Sequence, residues 1–189
     1  MSPLSRRQAL RLACASALLA AVGRHGPAQA QSALAGEAEL KAEWVRRFVL
    51  FTEWPAAALP AGAPLQLCVQ GRDEAMQRAL AALDGQTLRG HPLQVRAVLA
   101  ADETRGCHVL YLADSDPRRL FAPPASAATL TIGEAEGFAL AGGAIGLVRE
   151  NARLRFDVNR SAAGRGGLKL GSELLKNARA VLEGAVAPR

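Results

Sequence analysis

Apolar and polar residues recur along the chain with two periods, one typical of helices and one typical of strands. In residues 37–51, the apolar positions at helical spacing are Leu40, Trp44, Val45, Phe48 and Phe51. Most of the charged residues in this stretch fall on the other side, so the pattern predicts an amphipathic helix. The helix is predicted to stop at Trp54-Pro55, because proline lacks the N–H that continues a helix and disfavours helical geometry in the residue before it.

The remaining residues divide into short apolar runs and further helical patterns. Strands are predicted over residues 65–69, 93–98, 109–112, 129–132, 145–148 and 154–158, and the last two flank Glu150-Asn151 as the arms of a hairpin do. Helices are predicted from the cap Asp73 to Gly85, from Ser115-Asp116-Pro117 onward, and over residues 168–182. This order of elements indicates the α/β class, as a single domain with a mixed β-sheet covered by helices.

The first thirty residues do not share this pattern. Arg6, Arg7 and Arg11 precede an apolar run that is short for a membrane span, and small residues up to Ala30 follow it. We interpret residues 1–30 as a signal peptide cleaved near Ala30, which makes residues 31–189 an exported, periplasmic domain. The arginine pair fits twin-arginine export and ordinary secretory export equally well.

Removing the leader changes the charge of the protein. The leader holds four arginines and no acidic residue, so the net charge falls from +6 for the whole chain to +2 for residues 31–189. A nearly balanced protein does not attract nucleic acid, and the sequence has no cluster of Lys and Arg interleaved with aromatic residues. No nucleic-acid partner is therefore expected.

Two cysteines remain after the leader, Cys68 and Cys107. An even number of cysteines in an oxidising compartment favours one disulfide, which would close a loop of about 40 residues. A pair of free buried thiols and a redox site are the alternatives. A redox pair usually has the spacing Cys-X-X-Cys, which is absent here.

The sequence carries no strong catalytic signature. After the leader it has two histidines, His91 and His108, and strand alternation sends His108 and Cys107 to opposite faces, so they cannot share a metal. The glycine-rich residues 164–172 lack the order of a phosphate-binding loop and are interpreted as a flexible entry to the last helix. Glu134 and Glu136 are predicted to lie on a loop. We expect no catalytic residue, metal or cofactor.

Two stretches are candidates for binding a protein partner. Alternation in residues 153–158 directs Leu154, Phe156 and Val158 to the core and Arg153, Arg155 and Asp157 to the opposite face, where a solvated surface with local ion pairs is the simpler interpretation. The aromatic residues near the end of the first helix are interpreted as core, or as an interface if that helix face is exposed. The candidate partner-binding residues are Phe48, Phe51, Trp54, Glu150, Asn151, Arg153 and Arg155.

Several short patterns match a known family in their order along the chain. They are Lys41-Ala42 to Trp54-Pro55, Leu67-Cys68-Val69 with Gly71, Gly106-Cys107-His108-Val109-Leu110-Tyr111, Leu130-Thr131-Ile132 with Gly137-Phe138, Glu150-Asn151, Arg153-Leu154-Arg155-Phe156, Val158-Asn159 and Gly167-Leu168 to Ser172. With these patterns, residues 37–181 resemble the YfiR/HmsC-like family of periplasmic proteins.

The resemblance implies a repressor rather than an enzyme. Such a protein binds the periplasmic sensor region of a membrane-bound diguanylate cyclase and lowers cyclic-di-GMP signalling and biofilm formation, and an outer-membrane lipoprotein can sequester it. The resemblance also implies a disulfide between Cys68 and Cys107, whereas the second pair of some members is absent. A periplasmic small-molecule-binding protein is the alternative function, with Arg153 and Arg155 holding an anion. The aromatic helix face would also suit a homodimer.

Overall fold

The computed structural model describes residues 27–113 and 128–183, with side chains from residue 35 onward. Contacts divide the chain into two units, Met1–Gly36 and Glu37–Arg189, and all further description concerns the second unit. The predicted helix start at Ser115-Asp116-Pro117 lies outside the described residues, as do residues 1–26 of the predicted signal peptide.

The described residues form four α-helices, ten strands and one 3₁₀ turn. The helices are α1 (Pro27–Leu50), α2 (Glu74–Ala81), α3 (Arg160–Arg165) and α4 (Ser172–Asn177), and the 3₁₀ turn is Ala101–Thr104. The strands are β1 (Thr52–Glu53), β2 (Leu65–Gln70), β3 (Thr87–Leu88), β4 (His91–Val98), β5 (Val109–Leu112), β6 (Leu130–Gly133), β7 (Ile145–Glu150), β8 (Arg153–Asn159), β9 (Lys169–Leu170) and β10 (Ala180–Leu182).

Eight of these strands form one mixed sheet in the order β10-β8-β7-β6-β5-β2-β4-β3. The central strands from β7 to β4 are parallel, β8 pairs with β7 antiparallel, and β10 runs parallel to β8. Strands β1 and β9 form a separate antiparallel pair that sets Thr52 opposite Leu170. The predicted α/β class with a mixed sheet is therefore confirmed.

Strand alternation builds a different apolar cluster on each face of the sheet. The first face carries the main core, in which α1 and α2 contribute to one cluster with Leu67, Tyr111 and Phe156. The second face carries a smaller cluster of Cys68, Val98, Cys107, Leu110, Leu112 and Phe138. The helices α1 and α2 thus cover the first face.

The predicted hairpin is confirmed. Strands β7 and β8 pair from Ile145 with Val158 to Glu150 with Arg153. The two turn residues, Asn151 and Ala152, have φ angles of 48° and 59°. Positive φ at both turn positions gives the turn a twist that matches the twist of the flanking strands.

The predicted helix over residues 168–182 is wrong. The segment is divided into β9, α4 and β10, and α4 ends at Asn177, because ψ of the next residue, Ala178, is 144°. The N–H of Gly171 donates to the carbonyl of Phe51 at 2.7 Å, and the N–H of Arg179 donates to Phe156 at 2.8 Å. These bonds to residues far away in the sequence replace the bonds of a continuous helix, so tertiary pairing overrides the local period.

The glycine-rich residues 164–172 contain parts of regular elements. Helix α3 occupies Arg160–Arg165, and its cap Asn159 accepts a hydrogen bond from the N–H of Ala162 at 2.9 Å. A side-chain oxygen at the N-cap satisfies one of the N–H groups that a helix start leaves open. The predicted entry to a helix over residues 168–182 is therefore wrong, because the segment holds the end of α3 and strand β9. The predicted cap Asp73 is confirmed, because its carboxylate accepts from the N–H of Met76 at 3.0 Å.

Within residues 27–113 and 128–183, no helix combines the length and the apolar character that a membrane span requires.

Candidate partner-binding site

The outer side of α1 is an apolar surface that the core does not cover. The buried side of the helix consists of Ala38, Ala42, Val45, Phe48 and Val49. Leu40 was expected on that side but is 49% exposed, and Phe51 is 40% exposed. Leu40, Trp44, Arg47 and Phe51 follow one another at intervals of three or four residues and therefore share one side of the helix. We call these four residues the α1 surface.

An aromatic cluster fixes Trp44 in this surface. The ring of Trp44 lies 5.8 Å from Phe48 and 5.1 Å from Phe156, and Phe48 and Phe156 meet edge to face at 4.9 Å. The guanidinium carbon of Arg47 lies 5.5 Å from the Trp44 ring centroid, within reach of a cation–π interaction. Phe48 is only 1% exposed, so it supports the surface from beneath and is a core residue.

The two other predicted aromatic residues, Phe51 and Trp54, are held by their surroundings. The carbonyl of Phe51 accepts from Gly171, and a side chain at position 171 would contact the Phe51 ring. Trp54 is half-buried and donates its indole N–H to the carbonyl of His108 at 3.1 Å. Of the predicted aromatic candidates, Phe51 is therefore the one that presents substantial surface to a partner.

The charged candidates lie on the other side of the sheet. Arg153 and Arg155 are exposed and alternate with Leu154 and Phe156, whose side chains belong to the first face. Glu150 stands opposite Arg153 across the hairpin. We call Glu150, Asn151, Arg153 and Arg155 the hairpin surface. The structure therefore separates the predicted residues into two surfaces on opposite faces of the sheet.

Arg179, which lies near the carboxyl end of the chain, borders the hairpin surface. Arg179 donates from Nε and Nη2 to the two carboxylate oxygens of Asp157 at 2.8 and 2.6 Å, and its Nη1 lies 3.6 Å from Glu150. The hydrogen bond with Asp157 raises the pKa of Arg179. Asp157 was predicted to face outward with the arginines, and it does so, but Arg179 covers it and leaves it buried. A bidentate pair of this kind fixes both orientation and distance.

A polar cluster that the sequence reasoning missed joins α1 to the carboxyl ends of β5 and β6. The ammonium of Lys41 lies 2.5 Å from one carboxylate oxygen of Glu134, and the hydroxyl of Tyr111 donates to the other at 2.5 Å. Tyr111 is fully buried, which raises the pKa of its hydroxyl together with the nearby charge of Glu134. Glu134 lies on the loop directly after β6, as predicted, but its carboxylate is mostly buried and is held by Lys41 and Tyr111.

The same cluster extends along α1 to the hairpin. Lys41 also lies 3.0 Å from Glu37, and Glu37 pairs in turn with Arg149 of β7. The hydrogen bond from Arg149, with that from Lys41, lowers the pKa of Glu37 against the opposing effect of burial. Burial lowers the pKa of Lys41, but Glu134 and Glu37 outweigh this effect and raise it. Glu37 and Lys41 thus keep their charges. The cluster ties α1 to three strands, β5, β6 and β7.

Cys68 and Cys107 form a disulfide on the second face. Their Cα atoms are 5.8 Å apart, and both residues are buried in the smaller cluster beside Leu110 and Phe138. Arg96 borders the bridge, with Nη2 at 3.4 Å from the sulfur of Cys107. The bridge links the middle of β2 to the segment before β5, so it ties β2 to the amino end of the neighbouring strand.

The two histidines make local hydrogen bonds. Nδ1 of His108 accepts from the N–H of Gln66 at 2.9 Å, so the proton of the neutral ring lies on Nε2, which is 3.1 Å from the carbonyl of Ala58. Nδ1 of His91 lies 2.8 Å from the carbonyl of Ala63. In the part of the chain that the structure describes, no group of three or more His, Cys, Asp and Glu residues is placed to hold a metal ion.

Comparison with protein families shows the family to which the chain belongs. A family model described as YfiR/HmsC-like matches residues 38–179, about three quarters of the chain. The chain belongs to the YfiR/HmsC-like family. The match runs from Ala38 in α1 to Arg179 and includes both surfaces, the disulfide and every member of the polar cluster except Glu37. No curated protein matches the chain.

Proposed function

We propose that this YfiR/HmsC-like protein is a periplasmic regulator that binds the sensor region of a membrane-bound diguanylate cyclase and lowers its output. The observation that carries the proposal is the family match over residues 38–179, which covers most of the unit Glu37–Arg189. Proteins of this family are known as periplasmic regulators of diguanylate cyclases. The protein acts by binding and not by catalysis, and lower cyclic-di-GMP limits biofilm formation.

The α1 surface is the better of the two candidate contact surfaces. It combines an exposed Leu40, an exposed Phe51 and a Trp44 that its neighbours hold in place. Aromatic residues and arginine are enriched at protein interfaces, and residues that are already rigid lose little conformational entropy on binding. We infer that the cyclase packs an apolar segment along α1, between Leu40 and Phe51.

The hairpin surface has a different character. Arg153 and Arg155 are exposed on this surface. The neighbouring Arg179 forms ion pairs with Asp157 and Glu150. Exposed charges change the rate of association more than the affinity. We infer that the hairpin surface guides the approach of an acidic region of the partner, or meets the outer-membrane lipoprotein that competes for the regulator.

The proposal is tested by capture combined with a genetic measurement. The mature protein, fixed to a resin, is incubated with detergent-solubilised membranes of the source cells, and cyclic-di-GMP is measured in a strain that lacks its gene. We expect a diguanylate cyclase with a periplasmic sensor among the captured proteins, together with a rise in cyclic-di-GMP that the intact gene reverses. A deletion strain with unchanged cyclic-di-GMP and no captured cyclase would contradict the proposal.

A pair of surface variants tests whether the α1 surface binds the cyclase. Phe51→Asp places a charge in the α1 surface, whereas Leu140→Asp places the same charge at a residue that is 47% exposed outside both surfaces. The deletion strain is complemented with each variant at equal periplasmic abundance. We expect Leu140→Asp to restore low cyclic-di-GMP and Phe51→Asp to leave it high.

A further inference from the structure

A small cavity opens beside the end of α1, where β2 and β4 begin. Its volume is about 260 Å³, at the low end for ligand pockets, so it suits a molecule of about the size of one ring. Three of its lining side chains are apolar and three are polar, namely Trp54, Leu59 and Leu65, and Glu53, Arg89 and His91. None of the six belongs to the α1 surface, the hairpin surface or the polar cluster. The cavity is therefore a separate site.

The apolar wall of the cavity is rigid. Leu59 and Leu65 are buried and belong to the main core. Trp54 is half-buried, and the bond from its indole N–H to the carbonyl of His108 fixes the ring. A wall that is already ordered loses little conformational entropy when a ligand binds. An aromatic ring beside two leucines favours a ligand that carries an aromatic group.

Arg89 reaches the cavity from an uncommon backbone conformation. Arg89 and Gly90 form the turn between β3 and β4, with φ angles of 53° and 83°. Asparagine and glycine adopt positive φ more readily than arginine does, so the turn itself does not explain an arginine at this position. The side chain is held in place, because Nη1 donates to the carbonyl of Leu50 at 2.9 Å and Nη2 lies 3.6 Å from Glu53. A guanidinium has five N–H groups, so several remain for a ligand.

The ring of His91 contributes an acceptor. Its Nδ1 lies 2.8 Å from the carbonyl of Ala63. A carbonyl oxygen only accepts, so Nδ1 carries the proton of the neutral ring and Nε2 holds a lone pair. Among the residues that the structure describes, no donor contacts Nε2. His91 can therefore accept a hydrogen bond from a ligand in the cavity.

Together, the three polar side chains require a ligand that both donates and accepts. Arg89 can only donate, whereas the Glu53 carboxylate and Nε2 of the neutral His91 can only accept. The charges of Arg89 and Glu53 balance, so the site favours neither an anion nor a cation. A primary carboxamide meets these conditions, because its carbonyl accepts from Arg89 and its two N–H groups donate to Glu53 and His91.

We propose that this cavity binds a small neutral molecule in which an aromatic ring carries a primary carboxamide. The ring packs against Trp54 and Leu65, and the carboxamide meets the polar side chains. A carboxylate in the same place would set a like charge beside Glu53, and an amidinium would set one beside Arg89. Glu53 and Arg89 are 59% and 40% exposed, so water competes for their contacts, and we expect a dissociation constant on the order of 1 mM.

Three probes of one shape test the charge of the ligand: benzamide, benzoate and benzamidinium. The mature protein has two tryptophans, so its ¹H–¹⁵N spectrum holds two indole signals, and Trp54→Phe assigns them. At about pH 8, where histidine is mostly neutral, we expect benzamide to shift the Trp54 signal saturably and not that of Trp44. The charged probes should bind at least about fivefold more weakly. A Trp54 signal that benzamide does not move at about 20 mM, or a charged probe that binds as tightly, would overturn the proposal.

Variants of the polar side chains test whether they contact the probe. Arg89→Met should weaken benzamide binding at least about fivefold through the lost donor. Arg72→Met is the matched control, because it removes the same charge from an exposed residue at the other end of β2, and its affinity should equal that of the wild type. Circular dichroism shows that both variants are folded. If Arg89→Met binds benzamide as the wild type does, the proposed arrangement is wrong.

A change of specificity supplies a result that a merely structural role would not produce. Glu53→Gln removes the negative charge beside the ligand, so it should bind benzoate at least about fivefold more tightly than the wild type does. A variant without this gain would contradict the assigned role of Glu53. These outcomes are independent of the proposed function, because none of the variants changes the α1 surface or the hairpin surface.

Discussion

Lys41 and Glu134 lie 93 residues apart in the chain, yet their charged atoms are 2.5 Å apart and both side chains are mostly buried. Lys41 belongs to α1, and Glu134 directly follows β6, a central strand of the sheet. The pair therefore fixes the helix that carries the proposed partner surface to the sheet beneath it.

We expect Lys41→Met to lower the free energy of unfolding by about 2–3 kcal/mol. The methionine leaves the Glu134 carboxylate buried without its cation, and a buried unpaired charge is costly. Tyr111 continues to donate to the other oxygen, so the loss is smaller than for an isolated charge. Urea denaturation monitored by tryptophan fluorescence measures the change.

The companion variant is Glu134→Gln, which removes the charge but keeps an acceptor for Tyr111. In this background Lys41→Met should cost at least about 1 kcal/mol less than in the wild type, because the two residues are coupled. Equal costs in both backgrounds would show that the ion pair does not stabilise the fold.

Glu37 should make stability depend on pH in the acid range. Its pKa is lowered from 4.5, chiefly by the hydrogen bond from Arg149, so the folded state favours the ionised form. A carboxylate with a lowered folded pKa stabilises the protein above its unfolded pKa and loses this effect as the pH falls through the folded value.

The variant that isolates this effect is Glu37→Gln. The wild type should be more stable than this variant at pH 7, by up to about 1 kcal/mol, and the difference should shrink as the pH falls below about 4.5. Denaturation curves of both proteins at several pH values between 7 and 3 supply the comparison. A difference that stays constant, or grows, on acidification would be the opposite of the expected sign.

The ring of Phe138 requires glycine at position 143. A Cβ atom at Gly143 would overlap with this ring, which belongs to the smaller cluster on the second face. We expect Gly143→Ala to lower the free energy of unfolding by about 1–3 kcal/mol through overpacking. Gly164→Ala is the matched control, because an added Cβ there meets nothing within 4 Å and α3 gains helix propensity. Thermal denaturation of both variants should show a lower Tm for Gly143→Ala alone.

The disulfide should contribute substantially to stability. It joins residues 39 positions apart, and the chain-entropy model gives about 3–4 kcal/mol for a loop of this length. The double variant Cys68→Ala with Cys107→Ala should show this loss in urea denaturation under oxidising conditions. The wild type in reductant should approach the double variant only slowly, because both sulfurs are buried. A double variant as stable as the oxidised wild type would contradict this expectation.

Local sequence patterns were sufficient to predict the parallel strands, the α2 cap and the hairpin, because each of these depends on residues that are close in sequence. The hairpin turn at Asn151 is an example, since strand alternation on both sides indicated it directly. The helix predicted over residues 168–182 is wrong for the opposite reason. Its leucines have a helical period, but the N–H of Gly171 binds Phe51, and Ala180–Leu182 pairs with β8. Nothing within that segment reveals these distant partners.

The two candidate surfaces were predictable to a lesser degree. The apolar stripe of α1 was visible in the sequence, but its orientation was not. Leu40 was expected in the core and is exposed, whereas Lys41 was expected on the outer side and is partly buried. The signal that was available is Lys41 itself, which lies between the small residues Ala38 and Ala42 that face the core. A lysine beside such residues requires a buried acid, and Glu134 at the end of a fully buried strand was a candidate.

The proposed binding to the cyclase is tested most directly by a calorimetric titration of the captured cyclase's purified periplasmic sensor region with the mature protein. We expect saturable binding by the wild type and by Leu140→Asp, and at least about tenfold weaker binding by Phe51→Asp, which alters the α1 surface. Absence of binding by the wild type, or equal affinity of Phe51→Asp and the wild type, would contradict it.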